Sequence, residues 1–238
     1  MSQTGLYHIV FRGVNRQHIF EEKLDYQKII EILKNLKEEM QFEIYVYCLM
    51  SNNVHILLRE KKFGDISLIM KRLLTKYARW YNIKYSRSGA LIANRYKSQP
   101  VEMDKYLLSV VRYIHQNPIK AKFVDNIGEY KWSSYNEYAE DEIGIADKEF
   151  VLGIIEKDDF KTFHELEEKE IFIVDDKVKM SDESIRREII KVIKMEPTQI
   201  GSLDRKARDE ILKELKNKYS IRQLERITGV SRGIIYKS

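Results

Sequence analysis

The stretch that decides the fold, Met50–Leu58, reads MSNNVHILL. Its apolar second half predicts a β-strand, and the Ser-Asn-Asn before that half is typical of a turn. Asn53 and His55 stand two residues apart in this run. Because residues i and i+2 of a strand face the same side of a sheet, we expect both side chains on one face, where each could bind a metal ion.

A second stretch, Arg112–Pro118, reads RYIHQNP and predicts the end of a helix. Tyr113 and Asn117 stand four residues apart, so they share one face of that helix. Because proline disfavours helical geometry in the residue before it, we expect the helix to stop at His115. The two stretches together predict a point where a metal ion sits beside a tyrosine hydroxyl, which is the minimum needed for tyrosine attack on a phosphodiester.

The elements around these stretches alternate in the order β-α-β-β-α-β. Short apolar runs predict the strands, and apolar residues at helical spacing predict the helices. The predicted strands are residues 6–11, 43–49, 54–59 and 90–102, and the predicted helices are residues 26–40, 66–81 and 105–115. This is the ferredoxin-like arrangement of the α+β class, an antiparallel sheet with helices on one face. The helix of Tyr113 follows the fourth strand.

The composition excludes several classes of protein. The chain has 238 residues, of which 43% are hydrophobic and 33% charged, and no apolar run approaches the ~18 residues needed to cross a bilayer. The first residues lack the basic and apolar pattern of a secretion signal. The single cysteine, Cys48, lies in an apolar run and is expected to be a small buried side chain. We therefore expect a cytoplasmic protein with no membrane partner.

Charge is divided unevenly along the chain, although the net charge is only +5. Residues 1–138 hold 22 Lys and Arg against 14 Asp and Glu, residues 139–180 hold 6 against 14, and residues 181–238 hold 14 against 9. Two basic domains with an acidic, partly structured connector between them are typical of a nucleic-acid-binding protein. The alternative is chance clustering in a lysine-rich proteome.

The last basic block predicts a helix-turn-helix. Helices are expected at residues 183–195 and 205–216, followed by a short helix capped by Ser220, a turn at Gly229 and a second helix capped by Ser231. Arg222 and Arg232 would remain exposed to meet the phosphates or base edges of duplex DNA. The alternative is a helical hairpin that serves only for packing.

Eight cations and no acidic residue lie between Asp65 and Glu102. Uncompensated cations interleaved with aromatic residues are typical of a surface that binds single strands or hairpins, whereas solvated faces ordinarily mix charges of both signs. Tyr77 and Trp80 are expected in the core instead. On the predicted helix, three of the cations fall on one stripe away from the apolar face. The candidate DNA-binding residues of this domain are Arg12, Arg72, Lys76, Arg79, Arg87, Arg95 and Lys97.

Residues 50–58 resemble the histidine–hydrophobic–histidine (HUH) signature of single-tyrosine transposases. They are most similar to the REP-associated tyrosine transposase family, in which the run typically reads Met-Pro-Asn-His-Val-His-Leu-Leu. Residues 112–122, RYIHQNPIKAK, are similar to the tyrosine helix of that family, with its Tyr-Ile-x-x-Asn-Pro-x-x-Ala pattern. Further blocks at residues 7–13, 88–98 and 132–135 match in order, so the resemblance covers about residues 5–138.

The resemblance implies a DNA transposase or nickase that acts on single-stranded or hairpin DNA. Carried over by position, Tyr113 is the nucleophile, His55 the second metal ligand and Asn117 the third. In that family Mg²⁺ or Mn²⁺ polarises the scissile phosphate, and tyrosine attack leaves a 5′-phosphotyrosine and a free 3′-hydroxyl. Whether the active unit is a monomer or a homodimer stays open.

The chain departs from the family at Asn53, which stands where the first motif histidine is found. An asparagine carbonyl is an oxygen donor of the kind that Mg²⁺ prefers, but the side chain is shorter than histidine. Two interpretations therefore stay open: an active transposase, and a domesticated DNA-binding protein or regulator that no longer cleaves. A third interpretation, an RNA-binding module, lacks the expected aromatic motifs on its strands.

Overall fold

The computed structural model divides the chain into a first unit, Met1–Asp175, and a second unit, Asp176–Ser238. It describes residues 2, 4–102, 105–166, 186, 189–190, 192–216, 219 and 221–237, without the side chains of Lys105, Arg222 and Lys237. Within these ranges, no helix combines the length and the apolar composition needed to span a membrane.

Four antiparallel strands form the sheet of the first unit, in the order β2-β3-β1-β4. The strands are β1 (Leu6–Arg12), β2 (Glu43–Leu49), β3 (Asn53–Arg59) and β4 (Lys97–Pro100). The central strands β1 and β3 pair over their whole length, so that Arg12 lies opposite Asn53. The predicted α+β class and the ferredoxin-like strand order are confirmed.

Helices cover both faces of this sheet. The helices of the first unit are α1 (Lys23–Met40), α2 (Asp65–Lys84), α3 (Lys105–Lys120), α4 (Tyr135–Ala139), α5 (Lys148–Leu152) and α6 (Lys157–Glu165). Because strand residues alternate between faces, Ile9 and Ile56 join the core beneath α1 and α2, whereas Val10 and Leu57 join the core beneath α3. The predicted helices α1 and α2 share one face, and the helix of Tyr113 covers the other.

The fourth strand is shorter than the predicted run of residues 90–102. Asn94 has a left-handed backbone conformation, with φ of 50°, which a regular strand does not accommodate. The residues before β4 therefore form a loop that touches the end of β1 through a single bridge between Gly13 and Ile92. Regular pairing with β1 begins only at Lys97.

The helix α3 continues through Pro118 to Lys120, so the predicted end at His115 is wrong. A proline has no backbone N–H to donate to the carbonyl four residues earlier. The side chain of Asn117 replaces that donor, because its Nδ2 donates to the backbone oxygens of Tyr113 (2.9 Å) and Ile114 (3.4 Å). The residue before the proline thus keeps the helix intact.

Residues that follow α3 close the outer edge of β2. The backbone N–H of Leu49 donates to the carbonyl of Trp132 over 2.8 Å, and the N–H of Ser134 donates to the carbonyl of Tyr47 over 3.0 Å. An exposed strand edge would offer unpaired backbone groups to other chains. The segment therefore pairs with the edge of β2 as an additional short strand would.

Part of the predicted acidic connector belongs to the first unit. The carboxylate of Asp147 accepts a hydrogen bond from the N–H of Ile44 (2.8 Å) and another from Nζ of Lys37 (2.7 Å). Phe160 of α6 is fully buried in the core beneath α3. Residues 139–166 thus complete the fold that was predicted to end at residue 138, and residues 167–180 lie outside the described part of the chain.

A buried chain of hydrogen bonds fastens α6 to α3. Nδ1 of His164 lies 2.8 Å from the carbonyl oxygen of Phe160, so this nitrogen carries the proton and donates. Nε2 of His164 therefore accepts from Nδ1 of His115 over 2.9 Å. Nε2 of His115 in turn accepts from the hydroxyl of Ser134 over 2.9 Å. The chain links α3 to α6 and to the segment on the edge of β2.

The described part of the second unit is helical. Its helices are α7 (Arg205–Lys216), α8 (Ile221–Thr228) and α9 (Arg232–Lys237), with a 3₁₀ helix at Pro197–Ser202. Gly229 joins α8 to α9 in a left-handed conformation, with φ of 72°, which glycine adopts without strain. Ser220 and part of the predicted helix at residues 183–195 lie outside the described residues. DNA binding by this unit stays a prediction.

A fall in pH is expected to destabilise the first unit through His164. Burial lowers the pKa of His164 to about 4 from 6.5, so the unfolded chain takes up a proton first as the pH falls. Stability is therefore lost from about pH 6.5 downward and levels off below about pH 4, with ~2 kcal/mol lost between pH 7 and pH 5. Urea unfolding followed by tryptophan fluorescence measures this loss, because Trp80 and Trp132 both lie in the first unit.

The matched control is His18, whose side chain is 58% exposed. His164→Gln is expected to reduce the pH-dependent loss by ~2 kcal/mol, whereas His18→Gln changes it little. An unchanged pH dependence in His164→Gln would mean that the buried imidazole contributes nothing to it.

Candidate active site

Asn53 and His55 face the same side of the sheet at the start of β3. Nδ2 of Asn53 lies 3.1 Å from Nε2 of His55. Oδ1 of Asn53 is buried and has no hydrogen-bond partner among the described residues. Leaving such an oxygen unpaired costs ~1–3 kcal/mol, so an orphaned acceptor at this position is a mark of a binding site.

His8 of β1 lies beside His55, although no role was predicted for it. Nε2 of His8 lies 3.2 Å from Nδ1 of His55, and the ring centroids are 5.4 Å apart. In the ladder of β1 and β3, His8 is opposite Leu57, so His55 is its diagonal neighbour on the same face. The sequence contained the histidine, but only the strand register brings it to the site.

Tyr113 of α3 packs edge-on against both imidazoles. Its ring centroid lies 5.8 Å from that of His8 and 5.8 Å from that of His55. The ammonium of Lys120 lies 4.8 Å from the centroid of the Tyr113 ring. The structure thus brings Asn53, His55 and Tyr113 together and adds His8 and Lys120. Lys120 could have been found from its spacing, since it stands seven residues after Tyr113 and shares its helix face.

Both imidazoles of the site are neutral. Burial lowers the pKa of His55 to about 3, and burial together with the repulsion that a protonated His55 would exert lowers the pKa of His8 well below its usual range. Because an amide nitrogen only donates, Nε2 of His55 must accept the bond from Asn53. With the Asn53 amide in this orientation, the proton of His55 resides on Nδ1 and is donated to Nε2 of His8.

Asn117 lies one helical turn after Tyr113, and its amide nitrogen is committed to the helix. The bonds from Nδ2 to the carbonyls of Tyr113 and Ile114 fix the orientation of the amide. Its oxygen is the side-chain atom that takes no part in these bonds, and metal binding by Asn117 stays a prediction. The same side chain therefore has a structural role that the residue type alone did not reveal.

The atoms that the site could offer as ligands are of the kinds that bind divalent ions. The site offers the orphaned oxygen of Asn53, the amide oxygen of Asn117 and the neutral imidazole of His55. The two amide oxygens suit Mg²⁺ or Mn²⁺, whereas an imidazole is the ligand that Zn²⁺ and other transition metals prefer. The described residues contain no group of three or more His, Cys, Asp and Glu that could hold a metal. The charge of an ion at this site would therefore have to be balanced by a ligand such as a phosphate.

Two candidate DNA-binding cations lie on the same face of the sheet as the site. Arg12 is directly opposite Asn53 in the ladder of β1 and β3, and paired residues project to the same face. Lys97 of β4 is opposite Val10, which is itself opposite His55, so it lies in the same row two strands away. The strand register thus places two positively charged residues beside the neutral site.

The prediction of uncompensated cations on α2 is wrong for three residues, one of which is Lys84, paired with Glu22 and Asp25. Arg72 and Lys76 both contact the carboxylate of Glu39 on α1, the latter over 3.9 Å. The acidic residue that neutralises these cations lies on another helix, so counting charges along the sequence does not reveal the pairing. Arg79 and Arg95 are exposed and form no ion pair within the described ranges. Arg87 donates from Nη2 to the side-chain oxygen of Gln17 over 2.8 Å.

The aromatic residues of α2 belong to the core, as expected. Tyr77 is fully buried, and its hydroxyl donates to the carbonyl of Ile19 over 2.5 Å. Trp80 is partly buried against the same core.

In the second unit, Nε of Arg232 lies 2.5 Å from the carboxylate of Glu225, and the side chain of Arg222 lies outside the described part.

The family described as IS200-like transposases matches residues 2–117, which hold the whole sheet and the cluster around Tyr113. The resemblance of this part of the chain to a transposase family, which the motifs at Asn53 and Tyr113 predicted, is therefore confirmed. None of the curated proteins matches the sequence.

Two solved structures are similar to about half of the chain. One is a REP-associated tyrosine transposase bound to a REP hairpin, which is 16% identical with a TM-score of 0.49, and the match covers 56% of this chain and 78% of that chain. The other is a candidate transposase from Deinococcus radiodurans R1, which is 17% identical with a TM-score of 0.36, and the match covers 52% of this chain and 89% of that chain.

Asn117→Leu is expected to lower the free energy of unfolding of the first unit by ~1–3 kcal/mol. The carbonyl of Ile114 would then have neither a backbone N–H from Pro118 nor the amide of Asn117. Pro118→Ala restores the backbone donor, so in the Asn117→Leu background it is expected to recover part of the loss. A double-mutant cycle, measured by urea unfolding with tryptophan fluorescence, gives the coupling, and strictly additive effects would contradict this role of Asn117.

Proposed function

We propose that this chain cleaves and rejoins single-stranded or hairpin DNA with Tyr113 as the nucleophile. The observation that carries the proposal is the edge-on packing of Tyr113 against the neutral imidazoles of His8 and His55 in a domain that resembles the transposase family. A tyrosine in an ordinary apolar core needs no such polar neighbours. Here the polar groups converge from two strands and a helix on one side chain.

In the proposed reaction, Oη of Tyr113 forms a bond to the scissile phosphorus while the bond from phosphorus to the 3′ oxygen breaks. The hydroxyl of Tyr113 gives up its proton as it attacks and the departing 3′ oxygen takes one up, so the protein carries a 5′-phosphotyrosine and the other strand ends in a 3′-hydroxyl. The ammonium of Lys120 stabilises negative charge that develops on the tyrosine oxygen. Because the bond energy is kept in the phosphotyrosine, attack by a 3′-hydroxyl reverses the step and joins strands.

Asn53, His55 and Asn117 would hold the divalent ion, Mg²⁺ or Mn²⁺. When bound, such an ion polarises the scissile phosphate as a Lewis acid. The residues themselves contribute orientation, since β3 fixes the first two and the bonds to the helix carbonyls fix Asn117. Tyr113 is only 5% exposed, so a phosphodiester reaches it only if neighbouring side chains move aside.

The cations around the site are proposed to bind the phosphates of the DNA. Arg12 and Lys97 flank the site on its own face of the sheet, and Arg79 and Arg95 add exposed positive charge elsewhere in the domain. Phosphate contacts position a nucleic acid without reading its sequence. The second unit is proposed to bind duplex DNA through α9, which carries the 77%-exposed Tyr236 and Arg232, and Arg232 would have to leave its ion pair with Glu225 to contact a phosphate.

A second candidate function is DNA binding without cleavage, as in a domesticated regulator. It is favoured by Asn53, which replaces an imidazole by a shorter amide whose nitrogen, not its oxygen, faces His55. A misplacement of ~1 Å in such a site costs on the order of 10²-fold in rate. The two functions share the fold and the DNA surface, and they differ only in whether a covalent adduct forms.

Covalent capture of DNA is expected with the full chain, 3′-labelled hairpins or single strands, and Mn²⁺. The label should move with the protein on a denaturing gel, because the 5′ end of the labelled fragment is attached to Tyr113. Tyr113→Phe is expected to abolish the adduct and to leave DNA affinity within about twofold, since the ring keeps its packing. Asn53→His is expected to increase the rate of adduct formation by ~10–100-fold.

Three outcomes separate the two functions. An adduct in the parent chain that Tyr113→Phe removes establishes cleavage. No adduct in the parent chain but an adduct with Asn53→His assigns the chain to the DNA-binding candidate. No adduct with either protein on a broad panel of folded strands would contradict cleavage by this fold.

Arg95→Gln is expected to weaken hairpin binding and to reduce the slope of log affinity against log salt by ~0.7–1, the loss of one phosphate contact. Arg72→Gln is the matched control, because Arg72 is already paired with Glu39 and should contribute much less. Fluorescence anisotropy at several salt concentrations measures both slopes. Equal effects of the two substitutions would mean that the ion pair does not decide which cations bind DNA.

A further inference from the structure

We infer that His8 is a positioning residue, which holds the His55 imidazole in one tautomer and one orientation beside Tyr113. The inference rests on the proposed function and deepens it, because it names a residue that the cleavage site needs and that the HUH pattern does not contain. Three contacts carry it: His8 to His55 at 3.2 Å, Asn53 to His55 at 3.1 Å, and Tyr113 against both rings at 5.8 Å.

With the Asn53 amide oriented as in the structure, the contacts assign one protonation pattern to His55. The amide nitrogen of Asn53 can only donate, so Nε2 of His55 presents its lone pair on that side. Nδ1 then carries the proton, and Nε2 of His8 accepts it. A histidine that acts through one ring nitrogen ordinarily has its other nitrogen fixed by such a partner. Here that partner is His8, whereas the partner is usually a carboxylate or a backbone carbonyl.

The backbone makes His8 a rigid partner. It lies on the central strand β1, its side chain is fully buried, and the strand register sets it diagonal to His55. Because Tyr113 contacts both rings equally, a tilt of either imidazole changes the surface on which the tyrosine packs. The pair therefore sets the position of the nucleophile as well as the lone pair of His55.

Loss of the acceptor at position 8 has a defined chemical consequence. The Nδ1 proton of His55 would be buried without a partner, which favours moving it to Nε2. An Nε2–H would then face the amide nitrogen of Asn53, so that two donors oppose each other and the amide has to turn. Partners of this kind are worth about 10–100-fold in activity or metal affinity.

The test uses the full chain with ¹⁵N-labelled histidine and two variants of matched purpose. His8→Gln keeps a hydrogen-bond acceptor at position 8, whereas His8→Leu removes it and keeps an apolar side chain of similar size. Long-range ¹H–¹⁵N correlation spectra identify which ring nitrogen of His55 carries the proton, and this readout does not depend on cleavage. The rate of adduct formation with 3′-labelled hairpin DNA is measured in parallel.

We expect the Nδ1–H form of His55 in the parent chain and in His8→Gln, and a shift to Nε2–H in His8→Leu. The adduct rate should fall by about 10–100-fold in His8→Leu and recover most of this loss in His8→Gln.

An Nε2–H form in the parent chain overturns the inference even if His8→Leu does not fold. An unchanged tautomer and rate in a folded His8→Leu also overturns it. If no protein forms an adduct but the tautomers follow the expected pattern, the cleavage proposal fails and the positioning role of His8 stands.

Discussion

The antiparallel pairing of β1 with β3 is the constraint on which the first unit depends. These two strands are central in the sheet, and helices cover both of its faces, so the side chains on either side are removed from water. Polar groups can remain there only if they bond to one another. The register brings His8 and His55 within 3.2 Å, and that bond lets two imidazoles stay neutral inside the protein. Tyr113 then packs on the pair as it would on an apolar surface, although its neighbours are chemically reactive.

The position of α3 depends on a second set of buried bonds. His115, two residues after Tyr113, is linked to Ser134 on the edge of β2 and to His164 on α6. Asn117 keeps the helix regular across Pro118, so the last turn and Lys120 remain on the same axis as the tyrosine. Residues 139–166 therefore help to support the helix that carries the proposed nucleophile.

Local patterns predicted the strand order and the residues that meet at the site, because strand and helix periodicities are properties of neighbouring residues. Asn53 with His55, and Tyr113 with Asn117, are such pairs. The features that were missed depend on contacts between distant segments. His8 reaches the site through strand register, the acid that neutralises Arg72 comes from α1, and α3 passes Pro118 because the Asn117 side chain supplies a donor. Propensity alone ends the helix at the proline, since it carries no information on where a side chain will find a carbonyl.

The charges around the site favour an anion as its first ligand. His8 and His55 are neutral, Asn53 is uncharged, and the nearest ionised groups established by register or contact are Arg12, Lys97 and Lys120. Among the described residues, no group of three or more His, Cys, Asp and Glu could hold a metal, so a divalent cation alone would meet a high desolvation cost at this site. A phosphodiester meets the opposite situation, because the flanking cations attract it and its own charge then balances that of an ion. In the proposed function, the nucleic acid therefore creates much of the metal site that a carboxylate-bearing enzyme would hold by itself.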